Sequence, residues 1–157
     1  MKTSIRRATS ADHAALIELM ARFYTEEGYA FRRRATRKAL AQLMADELFG
    51  AVWAFRRQGE IVGYLVVTFG FSLEFGGRDA FVDELFVLEE YRGRGLGSRA
   101  LRRAAAHCRR AGIAALHLEI EDGNDQAEAL YTRKGFKLHS RRLMTRWLLP
   151  AGKCGRD

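Results

Sequence analysis

Three glycines at alternate positions, Gly93, Gly95 and Gly97, sit among Arg92, Arg94, Leu96 and Ser98 in "RGRGLGS", between an apolar run and an apolar-periodic run. A strand that turns through glycine into a helix leaves the first-turn N–H groups unpaired at the positive end of the helix dipole, which makes an anion site. Glycine removes the Cβ atoms that would hold a diphosphate away from those amides, and Arg92 and Arg94 add charge. Just upstream, Asp83 and Glu84 set two carboxylates side by side in "AFVDELFVL", and "LHLEIE" carries Glu119 and Glu121. Carboxylates beside an anion site are candidates for general-base work. Adjacent strand residues face opposite sides, so only one of Asp83 and Glu84 can serve a given site unless a bulge intervenes.

Two familiar phosphate patterns fit poorly. A P-loop needs a lysine followed by Ser or Thr after its last glycine, and here Gly97 is followed by Ser98 and Arg99. The dinucleotide fingerprint fits at Gly93 and Gly95, but its third glycine falls on Ser98, and the turn lies past the middle of a short chain rather than in a first βαβ unit. A turn without a ligand is the structural alternative. The remaining pattern, Arg or Gln followed by x-x-Gly-x-Gly/Ala, is met by Arg92, Gly95 and Gly97.

These residues need elements to position them. The pattern predicts a strand over 3–8, a helix start at Thr9 and Asp12, and a helix over 11–25 from the spacing of Leu16, Leu19, Met20, Phe23 and Tyr24. Leu40, Leu43, Met44 and Leu48 predict a second helix ending before Gly50. "AVWAFR" and "IVGYLVVTF" flank the turn "RQGE" as a hairpin, and a fourth strand follows over 80–88. A third helix over 96–112 places Leu101, Ala104, Ala105 and Cys108 on one face. A strand over 114–121, a helix over 125–134 and two antiparallel strands over 136–140 and 142–149 complete the chain. The order β-α-α-β-β-β-α-β-α-β-β is an α/β fold, a mixed central sheet with helices on both faces. One domain over 1–149 is expected, with a flexible tail over 150–157.

Over nearly its whole length the chain resembles the GNAT superfamily of N-acetyltransferases, and the sheet expected is therefore GNAT-like. "IRRATSADHAALIEL" is similar to the family's first strand and helix, and "VDELFVLEEYRGRGLGSRAL" to its acetyl-coenzyme A segment. "NDQAEALYTRKGF" matches its closing pattern N-x-x-A-x-x-x-Y-x-x-x-G-F, about 30 residues after the glycine turn with a strand between.

The resemblance implies acetyl transfer from acetyl-CoA to a primary amine. In the family the turn amides hold the pyrophosphate, here Arg92, Gly93, Arg94, Gly95, Leu96 and Gly97, with Ser98 at the helix start. The pantetheine arm lies along the fourth strand, in a V-shaped opening beside the fifth, so Leu85, Phe86 and Val87 are expected contacts, and Asn124 is a polar contact to the same arm. Arg99 and Arg102, the arginines of the third helix nearest the turn, are read either as attracting the 3′-phosphate or as part of a solvated helix face.

The thioester is already activated, so the reaction needs a neutral amine, support for an oxyanion and a proton for the departing thiolate. An alkyl amine with a pKa near that of lysine, about 10.4, is almost wholly protonated at neutral pH and needs a base or a water chain. Tyr131 matches the family tyrosine beside the sulfur and is expected to be the acid; packing against the third strand is its other reading. Glu84 is preferred as base, with Asp83, Glu119, Glu121 or water as alternatives. Acceptor selection is expected from Tyr24, Glu26, Glu27 and Tyr29 between the first helices, and from Phe71, Glu74 and Phe75 before the fourth strand. "DELFVLEEYRGRGLGS" also looks like the polyamine-acetylating branch, which favours a small cationic acceptor.

Length and charge set the outer bounds. At 157 residues the chain holds one core, and its net charge of +8 attracts polyanions. A basic nucleic-acid-binding module is the rival from another class, carried by clusters such as "FRRRATRK", but no RNA-binding pattern of aromatics accompanies them. A GNAT-like domain that binds acyl-CoA without turnover is the second rival. Cys108 and Cys154 lie far apart, the N-terminus has no apolar leader, and no stretch is long enough to span a bilayer, so a cytoplasmic protein with no membrane partner is expected. The four histidines show no metal spacing, and no metal is expected. A homodimer is compatible with all of this.

Overall fold

The computed structural model describes residues 2–148, so the expected tail over 150–157 and the last residue of the final expected strand lie outside the described residues. The elements in chain order are β1 (Ser4–Arg7), α1 (His13–Glu26), α2 (Arg33–Ala45), β2 (Gly50–Arg57), β3 (Glu60–Ser72), β4 (Gly77–Val87), α3 (Leu96–Arg110), β5 (Ala115–His117) and α4 (Asp125–Arg133). The strands form one sheet in the order β1-β2-β3-β4-β5. Pairing is antiparallel from β1 to β4 and parallel between β4 and β5.

β2 and β3 are buried along most of their length because helices cover both faces of the sheet. On one face Leu16, Leu19 and Met20 of α1 and Leu40 of α2 pack against Val52, Tyr64, Val66 and Phe86. On the other, Leu96, Ala100, Leu101, Ala104 and Cys108 of α3 pack against Trp53, Phe55, Leu65, Val67 and Val82. The start of α1 is pinned at Asp12, a fully buried carboxylate that accepts the Thr9 N–H at 2.8 Å and pairs with Arg56 of β2. Burial pushes its carboxyl up, but that hydrogen bond and the Arg56 and Arg6 guanidiniums outweigh it and hold it below the usual range.

Two differences from the sequence pattern bear on the site. The strand expected over 114–121 is ordered as a strand only at Ala115–His117, where it pairs with Asp79, Ala80 and Phe81. Beyond Phe81, β4 has no strand beside it on that side among the described residues, and the sheet is open there. The closing strands do not form among the described residues: 136–148 carries no strand, and Leu138, Leu143, Met144 and Leu148 are exposed. The alternation puts Leu143 and Trp147 on one side and Met144 and Leu148 on the other, so the pattern selects no single face to bury. Among the described residues, no helix is long and apolar enough to cross a membrane.

Candidate active site

The glycine turn leads from β4 into α3 as the sequence predicts. Gly93 and Gly95 both take φ of +71°, a left-handed conformation that costs an ordinary residue roughly 1–2 kcal/mol. Gly95 is the N-cap of α3. Among the described residues, the amides of Gly93, Arg94, Gly95, Leu96, Gly97 and Ser98 make no backbone or side-chain hydrogen bond, whereas Arg92 N–H donates to Glu89 at 3.0 Å and Arg99 N–H to Gly95 at 3.1 Å. A Cβ built on Gly93 or Gly95 meets no protein atom within 4 Å. Free donors around open space form a cradle that an anionic diphosphate fits.

The arginines of the turn do not point into that cradle. The Arg92 guanidinium donates to the Val87 carbonyl at 2.7 Å, pairs with Glu26 at the end of α1 and lies over the Phe86 ring. Arg94 donates to the Glu90 carbonyl at 2.9 Å and lies over Tyr91. Both therefore brace the turn from outside and leave its unbonded amides around the open space. Arg99, expected to attract the 3′-phosphate, instead donates to the Thr3 carbonyl at 2.8 Å.

Earlier on β4 the pairing with β3 slips by one residue: Val66 faces Glu84 while Val67 faces Val82, which leaves Asp83 as the extra residue of a bulge. Strict alternation would send Asp83 and Glu84 to opposite faces. The bulge turns both toward α1 and α2, where they line one groove of about 380 Å³ with Tyr24, Met20, Leu40 and Leu43. Glu84 accepts from Tyr64 Oη at 2.7 Å and Tyr24 Oη at 3.0 Å. Burial pushes its carboxyl up, the Tyr64 bond draws it down, the Asp83 charge pushes it up again, and the net shift is upward. Tyr64 is fully buried, and burial with the adjacent Glu84 charge holds its phenol far above the ordinary value, so it stays a donor. Asp83 keeps contact with water but has protein around it, and desolvation raises its carboxyl too. Among the described residues it has no hydrogen bond or ion pair.

An open sheet edge thus has an amide cradle at its end and two carboxyls of raised pKa beside it, donors suited to an anion and acceptors suited to a cation. A model of the acetyltransferase (GNAT) family matches residues 13–136. The chain belongs to the GNAT acetyltransferase family. Over 75 residues it is 33% identical to thialysine N-epsilon-acetyltransferase of Bos taurus, a match that covers 48% of this chain and 44% of that protein. The curated relatives are thus matched over less than half their length. Among solved structures, an integron cassette protein from the mobile metagenome of Cole Harbour Salt Marsh is 36% identical with a TM-score of 0.83, covering 93% of this chain and 91% of that one. An aminoglycoside N-acetyltransferase in complex with CoA shares the fold at 14% identity, with a TM-score of 0.82 and coverage of 94% and 96%.

The remaining expected residues are distributed over β4, α4 and the sheet face under α3. Leu85 and Val87 pack toward the α3 core and Phe86 toward α1 and α2, so what all three offer to the opening is backbone. Asn124 is the N-cap of α4, and its Oδ1 accepts from Ala127 N–H at 3.1 Å. Tyr131 packs against the α3-side core, edge-on to Phe136. Burial pushes its phenol up. It lines a second cavity of about 740 Å³, between β5 and residues 134–143, the region where the closing strands are expected. Tyr131 and Glu84 thus reach the sheet from opposite faces.

Glu119 lies on that second cavity and Glu121 accepts from Tyr29, so neither lines the groove. Of the residues expected to select the acceptor, only Tyr24 lines it. Glu26 is paired with Arg92, Glu74 with Arg141, and Phe75 packs on His117. The walls that sequence reasoning missed come from α2, and the helical spacing of Leu40 and Leu43 was the available signal.

Proposed function

We propose that this chain is an acetyl-CoA-dependent N-acetyltransferase acting on primary amines. The observation that carries the reading is the course of β4, whose unpaired edge joins the amide cradle of Gly93–Ser98 to the Asp83–Glu84 groove. Acetyl-CoA, when bound, supplies an activated acyl thioester. The cradle amides hold its diphosphate, and the backbone of Leu85, Phe86 and Val87 offers strand-like partners to the amide groups of the pantetheine arm. The relatives named as thialysine and aminoglycoside acetyltransferases support an amine acceptor.

In this reading the base differs from the one the sequence favours. Both Glu84 oxygens accept phenol hydrogens, so Glu84 acts as the fixed charge that holds an ammonium, while Asp83 faces the groove unbonded and takes the proton. A carboxylate with a raised pKa narrows the gap to an amine near 10.4, which makes the transfer less uphill. Tyr131, on the other face, stays protonated and gives its hydrogen to the departing sulfur. The bound ammonium loses two protons on the way to the amide, the first to Asp83 and the second to water as the amide forms, while Tyr131 gives one to the sulfur; exchange with water resets both side chains, and one proton is released overall. The test is amine-dependent thiol release from acetyl-CoA, with the acetylated amine identified by mass. Cofactor binding without release across a broad amine panel contradicts turnover, and absence of cofactor binding contradicts the cradle.

A further inference from the structure

Among the described residues, the groove presents negative charge at one place only. Asp83 and Glu84 are its acidic members, and beside them Met20, Leu40, Leu43 and Val66 give apolar walls. Its α2 wall continues through the small residues Ala35 and Ala39 to Arg32. Arg33, Arg34, Arg37 and Lys38 on the same helix keep the surroundings positive, with Glu18 paired to Arg33. One ammonium at the carboxylates is compensated there, and an aliphatic stem gains by burying its methylenes along the walls. A second ammonium farther along meets apolar side chains and a cationic rim. That wall is exposed, so the second ammonium keeps its water but finds no carboxylate and meets like charge.

We propose that the groove selects a primary amine on an apolar stem that bears no second cationic group, so that diamines and polyamines are poor acceptors. This rests on the acetyltransferase reading and narrows it against the polyamine acceptor that the sequence suggests. The test compares three probes of matched chain length, hexylamine, 6-aminohexanoate and hexane-1,6-diamine, by thiol release and by calorimetric binding to the protein saturated with coenzyme A. Hexylamine and 6-aminohexanoate are expected to exceed the diamine by about tenfold or more in both kcat/KM and affinity, the equivalent of about 1.4 kcal/mol. The variant Ala39→Glu puts a carboxylate on the exposed α2 wall with little helix penalty and is expected to remove or reverse that ratio. Equal use of the three amines, or preference for the diamine, by the unaltered protein overturns this inference and leaves the acetyltransferase reading standing. Cofactor binding with neither turnover nor binding of any probe overturns both.

Discussion

At the end of β4 the chain offers unbonded backbone N–H groups, while earlier on the same strand it offers two carboxylates turned to one face by a bulge. The cradle takes its polarity from unpaired helix-start amides, so no charged side chain is desolvated in building it. The groove does the reverse, since Glu84 and Asp83 carry raised pKa values imposed by desolvation. A backbone site is robust to loss of any one side chain and fragile to gain of a Cβ. A side-chain site is the opposite.

The largest expected effects follow from removing a proton carrier. Asp83→Asn is expected to lower kcat by about 10²–10⁴-fold with coenzyme A affinity unchanged. If Glu84→Gln costs more than Asp83→Asn, the two carboxylates exchange roles. The same Asp83→Asn chain is expected to melt slightly higher than the parent at neutral pH. A carboxyl raised in the folded state stabilises below its unfolded pKa and loses that contribution as pH rises through the folded value, so the difference between the two chains should vanish in acid.

Tyr131→Phe tests the opposite face. It keeps the ring and its packing on Phe136 and is expected to reduce kcat by about 10²–10⁴-fold, provided chemistry limits the rate. An unchanged kcat assigns Tyr131 to packing. A smaller effect is expected at Tyr64→Phe, which deletes a hydrogen bond that draws the Glu84 carboxyl downward. The low-pH limb of the rate profile should move to higher pH, with activity at neutral pH reduced by about tenfold. The smallest effect is at Gly97, whose φ is ordinary and where a Cβ meets Leu85 Cδ2 at 3.6 Å in normal contact. Gly97→Ala should gain roughly 0.5–1 kcal/mol of stability from helix propensity and leave coenzyme A affinity within about twofold.

The two regions were unequally legible in the sequence. Alternate glycines before a helix-periodic run announce left-handed turns and free amides, and Gly93 and Gly95 adopt that conformation. The helices that cover the sheet were legible too, through spacings such as Leu16, Leu19 and Met20. The groove was not, because a bulge is one unpaired residue and period-2 alternation hides it. Without the slip between Val66 and Val67, Asp83 and Glu84 could not share a face. Arg92 and Arg94 enter the expected site through the family motif and the turn amides, with charge as an addition; the directions of their side chains, set by the Val87 and Glu90 carbonyls and by Glu26 on α1, are not legible in that pattern. Asn124 carried the plainer signal of a helix cap, and that is what its Oδ1 does.

The most direct test of the account is calorimetric titration of coenzyme A into the parent chain and into Gly95→Val. Gly95 has open space about its Cα, so the valine strains φ by about 1–2 kcal/mol but meets no protein atom at Cβ; a folded variant is expected, checked by circular dichroism. Its side chain occupies the place of the diphosphate. The account predicts binding by the parent and about a hundredfold weaker binding by the variant, the loss of one or two charge-assisted hydrogen bonds. Equal affinity in a folded Gly95→Val chain would contradict it, because the diphosphate would then lie elsewhere.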